Sequence, residues 1–127
     1  MKLYRVILPV GDITAAARFY ETLLDLPGER VSPGRHYLSA GAVILALVDL
    51  RADGQDRDPR PNQEHVYFST AVLTEAHARA VAARPSTGPT EIRDMAWGER
   101  SFYLTDPWHN PLCIVEEGSE FTTGWVG

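Results

Sequence analysis

The sequence has little cysteine, no long apolar run and no excess of basic residues, and each shortage excludes a class of protein. Cys113 is the only cysteine, so the chain cannot form an internal disulfide and is not a disulfide-rich scaffold. The longest uncharged apolar run, residues 40–48, has about half the length that crosses a bilayer. Twelve basic residues stand against 17 acidic ones without forming a basic cluster, which argues against a nucleic-acid partner.

The composition is that of one globular domain. Hydrophobic residues make up 44% and charged residues 23% of the 127 residues, close to the average of folded domains, so we expect one domain over residues 1–127. The N-terminus enters a strand-like run at Leu3 without the apolar segment of a secretory signal, which together with the single cysteine predicts a cytoplasmic protein. The net charge of −5 slightly favours a cationic ligand, although solubility explains it equally well.

The first half of the chain has the pattern of a strand, a helix and three further strands. Residues 3–8 are apolar and β-branched, which predicts a strand. Asp12 offers an N-cap to an amphipathic helix over residues 14–24. Turn residues then delimit three strands, the first of them weak, over residues 28–33, 35–39 and 42–48.

The second half repeats this order after a polar linker. Arg5 and His65, 60 residues apart, occupy matching places in their strands, and a strand over residues 65–69 precedes an Ala-rich helix capped by Thr74. Three further strands are predicted over residues 91–96, 101–105 and 111–116. The linker, residues 51–63, contains Asp53, Asp56 and Asp58, which lack the spacing of a calcium loop and are interpreted as solvated charge.

The repeat predicts an α+β fold of two βαβββ modules. One helix covers only one face of a four-stranded sheet, so we expect the modules to form a curved eight-stranded mixed sheet with the helices on the outer face. The modules extend over about residues 1–50 and 64–117, with the linker 51–63 between them and a C-terminal tail 118–127. The concave, partly polar side of such a sheet is the usual place for a small ligand.

Strand alternation divides the residues of these strands between two faces. One set is entirely apolar and is predicted to pack beneath the helices: Val6, Leu8, Val66, Phe68, Leu112 and Ile114. The other carries nearly all the polar groups and is predicted to line the cavity: Arg5, Ile7, His65, Tyr67, Ser69, Cys113 and Val115. Arg5 has the geometry to clamp an anion or to pair with an internal carboxylate, and His65 is either a ligand contact or a satisfied interior histidine.

Aromatic residues gather in the second half. Trp97, Phe102, Tyr103 and Trp108 surround the predicted hairpins, with His109 beside the last of them. Aromatic faces grip flat organic molecules, so Trp97, Phe102, Trp108 and His109 join the predicted ligand-binding set. Core packing is the alternative for Phe102 or Tyr103, whichever points inward. Cys113 lies in an apolar strand, which is more typical of an unreactive packed side chain than of a nucleophile.

The motif Trp97–Tyr103 leading into Asp106–Asn110, with the repeated βαβββ pattern, resembles the vicinal oxygen chelate superfamily, which contains glyoxalase I, extradiol dioxygenases and bleomycin-resistance proteins. The ending Glu120–Gly124 is similar to a bleomycin-resistance-like subgroup. Family members generally have glycine where His109 stands. The resemblance implies the paired-module fold, and for the bleomycin-resistance type it implies a homodimer.

The resemblance also implies where a metal would be held. Enzymes of the superfamily use His, Glu or Gln on the first and last strand of each module, positions that fall on Arg5, within residues 43–47, and on His65 and Cys113. Of these positions only His65 and Cys113 can coordinate a metal, whereas a catalytic metal needs three protein ligands. A guanidinium about 5 Å from a divalent ion would cost about 7 kcal/mol at an effective dielectric near 20. We therefore expect no metal and no other cofactor.

The sequence favours a metal-free small-molecule binding protein of the bleomycin-resistance type that sequesters an antibiotic or a toxic aromatic compound. Its expected partners are a small organic ligand and a second copy of the chain. One alternative is a lyase, isomerase or dioxygenase with a non-standard metal or with acid–base chemistry on Arg5, His65 and Tyr67. Another is a non-catalytic module whose groove is occluded.

Overall fold

A computed structural model describes residues 1–122, so the end of the predicted tail, residues 123–127, lies outside the described residues. The elements follow in the order β1 (Arg5–Pro9), α1 (Ile13–Leu24), β2 (Gly28–Ser32), β3 (Arg35–Ala40), β4 (Val43–Val48), β5 (Val66–Thr70), α2 (Leu73–Ala83), β6 (Arg93–Asp94), β7 (Arg100–Thr105) and β8 (Pro111–Glu116). The α+β class and the two βαβββ modules are confirmed. In residues 1–122 neither helix is long and apolar enough to cross a bilayer.

The eight strands are divided between two four-stranded sheets. The first has the order β1-β4-β3-β2 and the second the order β5-β8-β7-β6. In each sheet the first and last strands of the module pair in parallel, whereas the remaining pairs are antiparallel. Both sheets are therefore mixed. β1 and β5 are both edge strands, so the two sheets adjoin without sharing a ladder of hydrogen bonds.

The two helices begin differently. Asp12 caps α1 as predicted, because its carboxylate accepts a hydrogen bond from the Ala15 amide at 3.0 Å. The prediction for Thr74 is wrong: α2 begins at Leu73 after Val72, and no side chain caps it. Leu73 occupies a fully buried place, so packing determines where this helix starts.

One hydrophobic core runs beneath both helices. Module one contributes Leu8, Leu38, Leu45 and Leu47 beneath α1, and module two contributes Phe102, Leu104, Leu112 and Ile114 beneath α2. Phe102 was predicted to bind ligand, and that prediction is wrong. Its side chain is fully buried and meets the His77 ring of α2 edge-on, with 5.0 Å between ring centroids.

A buried polar network joins the modules at one end. The Asp106 carboxylate accepts hydrogen bonds from the Tyr20 hydroxyl at 2.6 Å and from the Asn110 side-chain amide at 2.8 Å. That amide also donates to the Pro9 carbonyl at 2.7 Å, and the Asn110 side-chain oxygen accepts from the Asn62 amide at 2.9 Å. The network thus ties α1, the end of β1, the linker and the β7–β8 turn together.

Candidate functional site

Each sheet has one face beneath a helix and one face without a helix, which we call the open face. Arg5 and Ile7 lie on the open face of module one, and His65 and Tyr67 lie on that of module two, as strand alternation predicts. Ile7 is 48% exposed and Tyr67 is 55% exposed, so these faces present large side chains to solvent. The polar residues of the predicted site are divided between the two modules.

The open face of module one is a stack of arginine and tyrosine. The Arg5 guanidinium lies 5.0 Å from the centre of the Tyr4 ring and 5.2 Å from that of the Tyr37 ring, and it donates to the Tyr4 hydroxyl at 3.3 Å. The hydrogen bond to Tyr4 raises the pKa of Arg5 further above its usual value, so the group is a permanent cation. Arg35 donates to the Tyr37 hydroxyl at 3.1 Å. Two guanidinium groups therefore flank one phenol.

A small cavity of about 240 Å³ lies beside this stack. Ile7, Val48 and Leu50 supply apolar lining, and Arg57 and Arg60 of the linker line it together with Arg35. Within residues 1–122, neither Arg57 nor Arg60 forms an ion pair, whereas Arg35 lies 3.9 Å from the Asp53 carboxylate and Asp58, which also lines the cavity, is paired with Arg51. The local charge is therefore positive although the chain carries −5, and it favours an anionic ligand over a cationic one.

Sequence reasoning missed the contribution of the linker. Residues 51–63 show no apolar periodicity, so nothing in the pattern indicates that Arg57 and Arg60 fold back against β1 and β4. Asp53 is also not simply solvated: its carboxylate accepts from the Gly34 amide at 2.7 Å and from the Ser32 hydroxyl at 2.9 Å. These bonds anchor the start of the linker at the β2–β3 turn and direct its course over module one.

The open face of module two is aromatic. Tyr67, Cys113 and Tyr103 are neighbours in register across β5, β8 and β7. The His65 ring lies 5.2 Å from the Tyr103 ring and 6.1 Å from the Tyr67 ring, so the imidazole lies across β8. The structure therefore brings together three of the predicted residues, His65, Tyr67 and Cys113, and adds Tyr103 to them.

Burial suppresses ionisation in this cluster. Burial, followed by the neighbouring Cys113, raises the pKa of Tyr103 to about 12. Burial is also the main reason that the pKa of the Cys113 thiol is raised, and the Glu99 carboxylate raises it further. Near neutral pH the Tyr103 phenol and the buried Cys113 thiol are therefore both neutral. Trp97, 59% exposed, donates through its indole nitrogen to Glu99 at the edge of the same cluster.

The two remaining predicted residues lie at the junction of the modules. Trp108 is half buried against the core, and its indole lies close to Gly11, where an added Cβ would approach it to 3.0 Å. His109 is exposed in the same turn with a φ of 70°. This turn holds the Asp106 network, so Trp108 has a packing role, and the aromatic pattern of the sequence did not separate that role from ligand binding.

The donor set does not fit the metal that the superfamily's enzymes hold. Arg5 occupies the first-strand position of module one, and the residues of β4 on the same face are Ile44 and Ala46, which carry no donor. Module two offers His65 and Cys113, whose thiol is fully buried and protonated near neutral pH. Within residues 1–122 no group of three or more His, Cys, Asp or Glu side chains is placed to hold an ion.

Two βαβββ modules, each with one open face, define the fold class of this chain. Residues 2–114 match the sequence model of the Glyoxalase/Bleomycin resistance protein/Dioxygenase superfamily, and the chain belongs to that family. The match confirms the resemblance to the vicinal oxygen chelate proteins at the level of the superfamily. The bleomycin-resistance-like subgroup stays a prediction.

Several solved structures share this fold. A glyoxalase-related enzyme from Fulvimarina pelagi is 20% identical with a TM-score of 0.75, covering 100% of this chain and 99% of its own. An integron cassette protein from the mobile metagenome of V. cholerae is 27% identical with a TM-score of 0.67, covering 93% and 96%. Lactoylglutathione lyase from Agrobacterium tumefaciens is 20% identical with a TM-score of 0.70, covering 91% and 93%. Among curated proteins no match is found.

Proposed function

We propose that this chain is a metal-free binding protein of the bleomycin-resistance type, which sequesters an organic anion with an aromatic body. The observation that carries the proposal is a group of arginines on the open face of module one: Arg35, Arg57 and Arg60 line the cavity, and Arg5 lies beside Tyr37. An antibiotic or toxic compound with a carboxylate, a phosphate or an acidic phenol has this chemistry.

In the proposed site the arginines recognise the charge of the ligand and the aromatic rings recognise its flat body. Arginine binds carboxylate and phosphate bidentately, and such charge-assisted hydrogen bonds are about twice as strong as neutral ones. Arg5 is held in place between the Tyr4 and Tyr37 rings, so little side-chain freedom is lost when it binds an anion. The rings of Tyr67 and Tyr103 in module two offer flat surfaces for an aromatic body.

We propose further that a second copy of the chain completes the site. Tyr4, Ile7, Tyr67 and Trp97, on or beside the two open faces, are all between 48% and 63% exposed, and large exposed apolar side chains are typical of a surface for a partner. A homodimer would bring the arginines of one copy towards the aromatic face of the other. The buried free thiol of Cys113 supports a reducing, cytoplasmic location. Sedimentation velocity tests the dimer, and a monomer at micromolar concentration would contradict it.

Ligand screening by thermal shift tests the binding proposal. One arm contains 2-naphthoate beside naphthalene-2-methylamine, and the other contains Zn²⁺, Ni²⁺, Mn²⁺ and Fe²⁺. We expect only the naphthoate to raise the Tm, because binding to the folded state alone stabilises it. Arg5→Gln should weaken naphthoate binding roughly tenfold to a hundredfold. Arg18→Gln, on the exposed side of α1, is the matched control. A metal response, or an equal response in Arg5→Gln, would refute the proposal.

The cluster around His65 supports one alternative. Its imidazole lies between two phenols, an arrangement that can move protons to and from a bound substrate without a metal. An enzyme of the lyase or isomerase type would use it. In that case His65→Gln would abolish turnover of a ligand found in the screen while leaving its affinity within about threefold of the original.

A further inference from the structure

A second, larger cavity of about 480 Å³ lies between the two modules on the helix side of the sheets. Val6 and Leu45 of module one line it, together with Phe68 and Ile114 of module two. It exists because β1 and β5 are edge strands that do not pair with each other, so the apolar faces of the two sheets separate here. Apart from Tyr67, it shares none of the residues to which the open-face proposal assigns a role.

The cavity has the size and lining of a ligand site. Ligand sites commonly enclose about 300–1,000 Å³, and an apolar cavity of about 150 Å³ already holds benzene. Most of the lining is aliphatic; the C-terminal end of α1 contributes Leu23 and Leu24, and the segment after it contributes Leu26. Leu24 and Leu26 are only partly buried, so an apolar guest would remove more of their surface from water.

Arg79 of α2 is a half-buried cation in this apolar wall. Its Nε donates to the Leu23 carbonyl at 3.2 Å, which holds the guanidinium at the cavity. In residues 1–122 Arg79 makes no other side-chain hydrogen bond and no ion pair. Both terminal nitrogens are thus free to bind an anion, and a guanidinium in a partly apolar wall attracts a carboxylate more strongly than one surrounded by water.

Glu117 is the other charged residue of the lining, and it is exposed to solvent. It forms no ion pair with Arg79 in the described part of the chain. Water screens an exposed carboxylate, so Arg79 dominates the field inside the cavity. Glu117 would repel a second negative charge at the entrance, which favours a guest with one carboxylate over a dianion.

We propose that this cavity binds an organic monoacid with an aliphatic body, its carboxylate on Arg79 and its chain between the two sheets. Its cation, Arg79, is separate from the arginines of the open face, and Tyr67 is the one residue that both proposed sites use. The chemistry that identifies the guest is a single carboxylate at one end of an apolar chain, as in a medium-chain fatty acid.

Calorimetric titration with decanoate, below its micellar concentration, tests the proposal, with decylamine and decanol as guests of matched length. We expect decanoate to bind at least tenfold more tightly than the other two, because a charge-assisted pair in a partly apolar wall outweighs a neutral hydrogen bond. Arg79→Met, which keeps the aliphatic stem, should weaken decanoate at least tenfold, and Arg79→Lys should recover part of the loss. Val43→Phe, which narrows the cavity with a larger side chain, should weaken the binding of all three guests.

Two controls separate this site from the open face. Arg18→Met removes an exposed cation of α1 and should leave decanoate binding unchanged. Arg5→Gln should leave decanoate unchanged while weakening naphthoate, so failure of one site is distinguishable from failure of the other. If Arg79→Met proves unfolded by circular dichroism, Val43→Phe decides. Failure of decanoate to bind, decylamine binding as tightly, or unchanged affinity in Val43→Phe would each overturn the proposal.

Discussion

The two modules share a backbone and differ in the face that carries chemistry. Beneath the helices both present leucine, isoleucine or phenylalanine in the same alternation. On the open face, module one carries Arg5 and Arg35 around Tyr37, whereas module two carries His65 with Tyr67 and Tyr103. Core packing constrains one face of each sheet, and the other face is free to diverge. The repeat therefore yields one cationic and one aromatic surface from the same architecture.

The modules also differ in how much they depend on each other. Each has its own sheet and helix, but Asp106 of module two accepts the buried Tyr20 hydroxyl of module one. Burial, followed by the Asp106 carboxylate, raises the pKa of Tyr20 well above its usual value, so the phenol stays a donor. The comparison predicts that this junction, more than either sheet, makes the chain fold as one unit.

Asp106→Ala should give the largest effect. It removes the acceptor of the Tyr20 hydroxyl and of the backbone amides of Trp108 and Asn110, and one of the two acceptors of the Asn110 side-chain amide. We expect unfolding in urea to show a loss of about 4 kcal/mol, and Tyr20→Phe a loss of about 2 kcal/mol. A change in Asp106→Ala below about 1 kcal/mol would show that the modules are joined by apolar packing alone.

Alkaline pH should destabilise both modules through their tyrosines. The pKa of Tyr103 is about 12 in the folded chain, against about 10 when unfolded, and that of Tyr20 is also raised. Between these values the folded state keeps protons that the unfolded state releases, so the free energy of unfolding is unaffected below pH 10 and falls as the pH rises towards 12. Tyr103→Phe should flatten this decline in pH-dependent urea melts. An unchanged profile in Tyr103→Phe would assign the effect to module one.

The helix starts provide a smaller and paired test. Asp12→Ala removes the cap of α1 and should cost about 1 kcal/mol. Val72→Asp gives α2 the cap that it lacks, at a residue that is exposed, and should add up to about 1 kcal/mol. Thermal denaturation of both variants measures the difference. Equal losses in the two would mean that α2 cannot accommodate a capping carboxylate.

The turn between the third and fourth strands of each module allows another comparison, with an expected change in stability similar to that of the helix caps. Module one uses Gly41 at a φ of 66°, and module two uses His109 at 70°. Only glycine adopts this region without strain, so His109→Gly should stabilise the protein by about 1 kcal/mol and Gly41→Ala should destabilise it by about as much. A loss of stability in His109→Gly would reveal a stabilising contact of the imidazole.

The left-handed backbone at position 109 explains why family members generally have glycine there. The turn requires the left-handed conformation at position 109 whichever residue occupies it, and the hydrogen bonds of Asp106 stabilise that conformation. Histidine adopts this conformation at a modest cost. The departure from the family's pattern has therefore not loosened the turn.

Short-range patterns predicted most of the fold. Alternation in β1 and β5 assigned Arg5 and Tyr67 to the open faces, and Asp12 marked the start of α1. The weak strand over residues 28–33 is present as β2 (Gly28–Ser32). These features depend on contacts within one element or between neighbours, which a sequence pattern records.

The errors concern residues whose place depends on distant parts of the chain. Deciding which of Phe102 and Tyr103 is buried required knowing which face of the sheet α2 covers. Assigning a packing role to Trp108 required knowing that Gly11 lies against it. The predicted strand over residues 91–96 is reduced to β6 (Arg93–Asp94), because Thr90 and Thr87 pair irregularly with the same edge of β7. Long-range packing overrode local propensity in each case.

The sequence by itself determined the repeated βαβββ order, the apolar faces and the lack of metal-donating side chains at Arg5 and in β4, since residue type and period suffice for these. Only the tertiary structure decided that the linker arginines join Arg5 on one surface and that a cavity opens beside Arg79. Both depend on how the two sheets, whose edge strands β1 and β5 do not pair, pack against the two helices. That packing involves residues far apart in the chain, so no local sequence pattern records it.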